Sequence, residues 1–164
     1  MGRSRIAVYP GTFDPVTYGH IDLIKRASRI FDKVIVAVAH NKTKGALFSV
    51  RERVAMLRDA VRGVENVAID NFDGLVVDYV KSCGSNVMIR GLRMISDFEY
   101  EFQMALTNRK LAGAIETIFM MPHEDYSYVS SKLIKEAASF GADLGNFIPR
   151  RVEIALKKKL QKSR

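Results

Sequence analysis

Hydrophobic positions along the chain fall into two alternating patterns. Short β-rich runs, several of them nearly continuous and apolar, stand at 5–9, 33–39, 67–70, 86–89 and 117–121. Runs of this length, bounded by turn residues and without a polar face, suit strands that are covered on both sides. Between and after them, apolar residues recur at helical spacing over 19–31, 50–61, 74–83, 97–111, 130–139 and 149–160. In the first of these stretches Ile24, Ala27 and Phe31 share one face, while Lys25, Arg26 and Arg29 turn mostly away. Strand–helix alternation of this kind produces right-handed crossovers and a parallel sheet with helices on both faces. The pattern predicts an α/β fold: a doubly wound, five-stranded parallel sheet with a helical C-terminal extension. No repeat, low-complexity linker or break in composition divides 1–164, so a single domain is expected.

Composition narrows this picture. The 164 residues are 48% apolar, enough for a real core and against intrinsic disorder. The net charge of +8 suggests nucleic acid until the charges are located. Residues 150–164 hold seven Lys/Arg and one acid, Glu153, whereas 1–149 hold 19 Lys/Arg and 17 Asp/Glu. The excess therefore belongs to a basic C-terminal helix or tail at 149–164, read as a solvated helix end, and no nucleic-acid partner is expected. Cys83 is the only cysteine, so an internal disulfide and a Cys-rich zinc cluster are excluded. No apolar run approaches a membrane span or a signal-peptide core, and the expectation is a cytoplasmic protein with no membrane partner. The seven methionines and nine phenylalanines read as core.

In an open parallel sheet, ligands lie beyond the carboxyl ends of the strands. After the first strand the chain reads PGTFDPVTYGH (10–20), neither a G-x-G-x-x-G fingerprint nor a P-loop. A glycine, a hydroxyl and a strand-to-helix junction can nevertheless aim backbone N–H groups at a phosphate. His20 falls in the first helical turn. It either caps the helix or points into the crevice, as a neutral donor or an imidazolium able to stabilise charge on phosphate oxygen. The loop after the second strand carries Lys42 and Lys44, mobile point charges within reach of a phosphate. The third loop, DGLV (73–76), reads by itself as a cap followed by core residues. The fourth places Arg90 and Arg93 on either side of Gly91-Leu92, and arginine recognises phosphate through a planar fork. Asp97 suits the positive helix start. After the fifth strand, Ser130 or Ser131 opens a helix with ordinary capping chemistry that can also hold an anion. His123, Glu124 and Asp125 are too sparse for a dedicated metal site, and none is assigned.

Three strings resemble one family. GTFDPxTxGH (11–20) resembles the T/H-x-G-H signature of the nucleotidylyltransferase superfamily in the longer form carried by phosphopantetheine adenylyltransferases. RGLRxxxDFEYE (90–101) is similar to the same family. VSSKLIK (129–135) stands where the superfamily has I-S-S-[ST]-x-x-[KR], with Lys132 in place of the third hydroxyl. The resemblance spans about 5–150 and implies a Rossmann-like fold. It implies catalytic roles for His20, Lys44 and Arg93. It further implies an ATP site formed by Thr12, Phe13, His20, Gly91, Leu92, Arg93, Glu101 and the run Tyr126, Ser127, Tyr128, Val129, Ser130, Ser131, Lys132. Thr12, Lys44, Leu75, Val76 and Arg90 are implied for the 4′-phosphopantetheine acceptor.

The chemistry implied is transfer of the adenylyl group of ATP to 4′-phosphopantetheine, giving 3′-dephospho-CoA and pyrophosphate. Mg²⁺ would be carried mainly by ATP phosphates, and dephospho-CoA or CoA would bind as product or feedback ligand. A homohexamer is implied as well. From the residues alone, no Ser-His-Asp or Cys-His arrangement and no carboxylate pair stands out, and what converges is donors and cations. An acceptor phosphate is already ionised, so positioning and electrostatics suffice for direct in-line attack. A sister enzyme using nicotinamide mononucleotide or CTP would share the first and third strings but not RGLRxxxDFEYE.

Overall fold

The computed structural model describes residues 4–40 and 45–162. Strand β1 (Ile6–Gly11) leads through helix α1 (Tyr18–Ala27) to β2 (Lys33–Ala39), then α2 (Val50–Ala60), β3 (Val67–Phe72), α3 (Val76–Ser82), β4 (Val87–Gly91), α4 (Ile95–Leu111) and β5 (Glu116–Met120). A short 3-10 turn (Glu124–Tyr126), α5 (Ser131–Ser139) and α6 (Arg150–Lys162) complete the chain. The sheet order is β3-β2-β1-β4-β5, and every pairing is parallel.

Alternate residues of the central strands feed two cores. Ala7, Tyr9, Val34, Val36, Val38 and Ile89 meet α1, α2, α5 and α6 on one face. Val8, Ile35, Ala37 and Met88 meet α3 and the residues following α4 on the other. Two-sided burial explains why these strands read as continuous apolar runs.

The order reverses at β1, which is where a crevice belongs. Pairing of β1 with β2 continues to Gly11↔Val38, but its pairing with β4 stops at Val8↔Met88. Beyond Val8 the carboxyl ends of β1 and β4 separate. The strand also passes through Pro10 and ends at Gly11 rather than at Tyr9, because pairing to β2 survives the missing proline N–H.

Local capping fixes the helix starts. Thr17 caps α1 and Ser49 caps α2, each in a reciprocal capping box, with His20 and Glu52 as the respective partners.

Two expectations from the sequence need correction. The C-terminal segment is not a solvated end. Val152, Glu153 and Leu156 of α6 are buried, and Lys159 lies over the Phe48 ring while pairing with Glu52. Arg151 pairs with Asp59, and Arg150 and Lys157 both pair with Glu153, so four of the segment's cations are engaged in ion pairs within the fold. The core expectation for the methionines and phenylalanines holds for Phe13, Phe48, Phe72, Met88 and Met120 but not throughout. In α4, only Glu101 and Asn108 are buried, while Phe98 and Phe102 are half exposed, as is Met94 just before the helix. Met121 and Phe140 are exposed too. A helix with apolar residues on several faces satisfies helical periodicity without revealing what covers it. No described helix is long and apolar enough to cross a membrane.

Candidate active site

The separation of β1 from β4 opens a cavity of about 430 Å³. Its walls come from the segment after β1, the end of β4, the start of α5, and Gly45 and Ala46 before α2.

The β1–α1 segment is shaped by Phe13, which adopts a positive φ of 49°. Its ring packs edge-on against Tyr9 at 5.3 Å and His20 at 5.0 Å. It also lies across Gly11, where an added Cβ would come within 2.8 Å of the ring. Gly11→Ala is therefore expected to push Phe13 away from His20 and cost about 1–3 kcal/mol of stability by denaturant unfolding. An unchanged midpoint would mean that the ring yields freely.

His20 both caps the helix and lines the cavity. The Thr17 N–H donates to His20 Nδ1 at 3.0 Å, and the His20 N–H donates to Thr17 Oγ1 at 3.4 Å. With Nδ1 accepting, a neutral imidazole carries its proton on Nε2. Burial first, then the Arg93 and Arg90 charges, lower the His20 pKa to about 3. Of the two forms left open by the sequence, the neutral donor is the one this site sustains. Burial likewise pushes the Tyr9 hydroxyl up to about 12, so it stays protonated.

Both arginines after β4 are held in place. Arg90 grips Glu101 through Nε (2.8 Å) and Nη2 (2.6 Å), and donates from Nη1 to the Pro10 carbonyl at 2.8 Å. Burial alone would lower its pKa, but the bonds and charge of Glu101 prevail and raise it. Three of its five N–H groups are thus used and two remain for a ligand. Arg93 donates to the Val129 carbonyl at 2.8 Å and pairs with Asp97 at 3.1 Å, which joins the end of β4 to the start of α5. Gly91 keeps the backbone close to α1, since a Cβ there would meet Leu23 at 2.9 Å.

At the α5 start, Ser130 Oγ accepts from the Leu133 N–H at 3.2 Å, and Ser131 Oγ donates to the Pro15 carbonyl at 2.7 Å. Both hydroxyls are occupied as caps and tethers. Engaged in this way neither hydroxyl is an activated nucleophile, while a helix start of this kind can hold an anion through its backbone N–H groups.

Of the residues singled out in the sequence, Thr12, Phe13, His20, Arg90, Gly91, Arg93, Glu101, Val129, Ser130, Ser131 and Lys132 line the cavity together. Leu92, Tyr126, Ser127 and Tyr128 do not line it. Leu92 is tied by its N–H to the Met120 carbonyl, Tyr126 packs on Tyr18, Ser127 caps onto the Glu124 carbonyl, and Tyr128 packs edge-on against Phe147. Leu75 and Val76 also stand away from the cavity wall. They begin α3, which packs on the opposite sheet face from α1 and α5. Lys44 lies outside the described residues.

Three charged residues escaped the sequence reading. Asp14, 4% exposed, and Lys135 form an ion pair at 2.7 Å on the cavity wall. Arg53, 2% exposed, donates to the carbonyls of Phe48, Thr12 and Ala39. Lys135 ends the VSSKLIK string, a signal that could have been used. Asp14 is an acid at a strand end between Phe and Pro, a weaker one. Arg53 looks like any helix-surface arginine. Among the described residues, no group of three or more His, Cys, Asp or Glu is placed to hold a metal.

A cytidylyltransferase-like family model matches residues 8–137. The phosphopantetheine adenylyltransferase of Caldanaerobacter subterraneus subsp. tengcongensis is 54% identical over 97% of this chain and 99% of its own length. That of Carboxydothermus hydrogenoformans is 52% identical over 96% and 98%. Among solved structures, a bifunctional NMN adenylyltransferase/ADP ribose pyrophosphatase from Francisella tularensis, complexed with AMP and a manganese ion, superposes with a TM-score of 0.69 at 15% identity. That match covers 98% of this chain and 52% of the other, and shows a shared α/β fold. With near-full-length identity above one half, the chain belongs to the phosphopantetheine adenylyltransferase family, enzymes that transfer an adenylyl group in coenzyme A biosynthesis.

Proposed function

We propose that this chain transfers the adenylyl group of ATP to 4′-phosphopantetheine by direct in-line attack, releasing pyrophosphate and forming 3′-dephospho-CoA. The observation that carries the reading is a cavity supplying a neutral histidine donor, two anchored arginines and a helix start, with both of its serines already engaged. Such a site offers no covalent route but stabilises charge developing on phosphate oxygens.

In this scheme the acceptor phosphate is the nucleophile and needs little base assistance, since it is already ionised. Arg90 directs it with its two spare N–H groups, while Glu101 and the Pro10 carbonyl keep the guanidinium still. Thr12 and Lys44 assist on the acceptor side. His20 Nε2–H and Arg93 meet the oxygens of the α-phosphate as they gain charge. Phe13, Gly91 to Arg93, Glu101 and 126–132 form the ATP side, and the N–H groups at the start of α5 take the pyrophosphate. Leu75 and Val76 accompany the outer part of the pantetheine arm.

The only described carboxylates on the cavity wall, Asp14 and Glu101, are each bridged by a cation. This donor set fits Mg²⁺ only as an ion held mainly by the ATP phosphates and its own water. When bound, the ion neutralises part of the triphosphate charge. Dephospho-CoA, as the product, occupies the same cavity, and CoA is its natural competitor there.

The 164 residues act as one cytoplasmic catalytic domain in a homohexamer. Ile95, 90% exposed, continues with Phe98, Phe102 and Leu106 as an apolar stripe along α4, a surface suited to burial between subunits. Ile95→Asp combined with Phe102→Asp is expected to shift the sedimenting species to a smaller mass. A variant retaining hexamer mass would exclude this stripe from the interface.

An acceptor and nucleotide panel tests the activity itself. Pyrophosphate release should require ATP and 4′-phosphopantetheine together. Turnover with nicotinamide mononucleotide, or with CTP in place of ATP, would overturn the assignment.

A further inference from the structure

The turn after β1 carries a carboxylate for which the transfer chemistry has no use. Asp14 is buried on the cavity wall, yet both its oxygens are taken. Oδ1 accepts from the Phe48 N–H at 2.9 Å. Oδ2 accepts from the Leu47 N–H at 2.9 Å and from the Lys135 ammonium at 2.7 Å. Leu47 and Phe48 directly follow Gly45 and Ala46, which line the cavity, and Lys135 stands one turn beyond the α5 start that also lines it. Ser131 is tied to the adjacent Pro15 carbonyl. One two-residue turn therefore holds the end of the β2–α2 connection and the first turns of α5 in a fixed relation.

As a stabilising device alone, a buried ion pair is a poor choice, because desolvation offsets most of its attraction. The direction of the cation is more informative. Lys135 also lines the cavity and its side chain keeps 30% exposure. Asp14 occupies one of its three N–H groups, which leaves two for an anion. A carboxylate neighbour weakens the pull of an ammonium on phosphate. It also removes the disorder of a four-carbon stem, and a preorganised donor contributes more to a transition state than a stronger but wandering one.

We infer that Asp14 is a positioning residue for the transfer reaction. It anchors Lys135 where leaving pyrophosphate oxygens lie beside the α5 start, and fixes the Leu47–Phe48 backbone in register with it. The inference rests on the adenylyl-transfer reading for the identity of the anion.

The test is a double-mutant cycle on the full-length protein with Asp14→Asn, Lys135→Met and both together. The readouts are kcat, KM for ATP, and affinity for inorganic pyrophosphate by calorimetry. Asp14→Asn should lower kcat about 100-fold, the cost of a misplaced catalytic cation, with a far smaller change in KM. Pyrophosphate affinity should fall about tenfold in each single variant, the loss of one charge-assisted contact. The double variant should lie within about threefold of Lys135→Met alone, because Asp14 acts through the lysine. Losses that multiply in the double variant, or wild-type kcat in Asp14→Asn, overturn the inference.

If Asp14→Asn does not fold, the contrast is read between Lys135→Arg and Lys135→Met. Arginine, which can still reach Asp14, should keep pyrophosphate affinity within about threefold of wild type, and methionine should not. Equal affinities overturn the inference. Pyrophosphate binding is measured without acceptor, so it reports on Asp14 even if wild type fails to use 4′-phosphopantetheine.

Discussion

Replacing His20 with alanine is expected to lower kcat by about two to three orders of magnitude, the usual cost of deleting one preorganised donor to a developing oxyanion. KM for ATP should move much less, because the missing contact matters most when charge accumulates in the transition state. The same variant breaks the α1 capping box, so its fold must be checked separately by unfolding. His20→Asn is the more discriminating change, since it retains a side chain able to cap and to donate. It should recover helix stability and part of the rate. A His20→Ala protein that is folded and keeps near-normal kcat would remove histidine from the mechanism.

The pH dependence follows from the same geometry. With its pKa lowered to about 3, His20 remains a neutral donor throughout the neutral range, so the kcat profile should show no inflection near 6.5 from this residue. Unfolded, the imidazole titrates near its ordinary value. Between about 3 and 6.5 the unfolded chain therefore binds the extra proton, and stability should fall as pH is lowered through that window. Denaturant midpoints of wild type against His20→Asn, taken between pH 4 and 7, measure this contribution. Identical slopes for the two proteins would contradict the buried neutral ring.

The second large effect concerns stability. Arg53 sits at the junction of three segments, donating to Thr12 at the end of β1, Ala39 at the end of β2 and Phe48 before α2. Burial lowers its pKa while the nearby Asp14 charge raises it. Arg53→Met preserves much of the stem but leaves three carbonyls without these donors, at a cost of about 3 kcal/mol. For a chain of this size that is roughly a 6–12 °C fall in Tm. Arg53→Lys should recover little, because one ammonium cannot reproduce the planar fork. A loss below about 1 kcal/mol in Arg53→Met would mean that water takes over these carbonyls.

What the sequence made legible is what local pattern encodes. Val34 to Val38 alternate between two cores, and a strand buried on both faces can only read as continuous apolar sequence. The site segments were legible because a parallel sheet restricts ligands to strand ends, and Arg90, Arg93 and His20 stand at such ends. Asp14 and Arg53 were not legible, since the partners of Asp14 lie 33 to 121 residues away and those of Arg53 are backbone carbonyls 5 to 41 residues away, and neither role leaves a periodic mark. Glu101 was legible as a site residue through its string, but its grip on Arg90 across 11 residues was not. The density of lysine and arginine in α6 concealed Val152 and Leu156, whose spacing of four is the helical signature of a buried face.

The central claim is that one cavity transfers an adenylyl group directly between two phosphates, and phosphorus stereochemistry tests it most directly. ATP carrying a single sulfur of defined configuration at the α-phosphorus is incubated with the protein and 4′-phosphopantetheine, and the product is analysed. The account predicts 3′-dephospho-CoA with inverted configuration at that phosphorus, the outcome of one in-line displacement. Retention of configuration, or no dephospho-CoA at all, would contradict it.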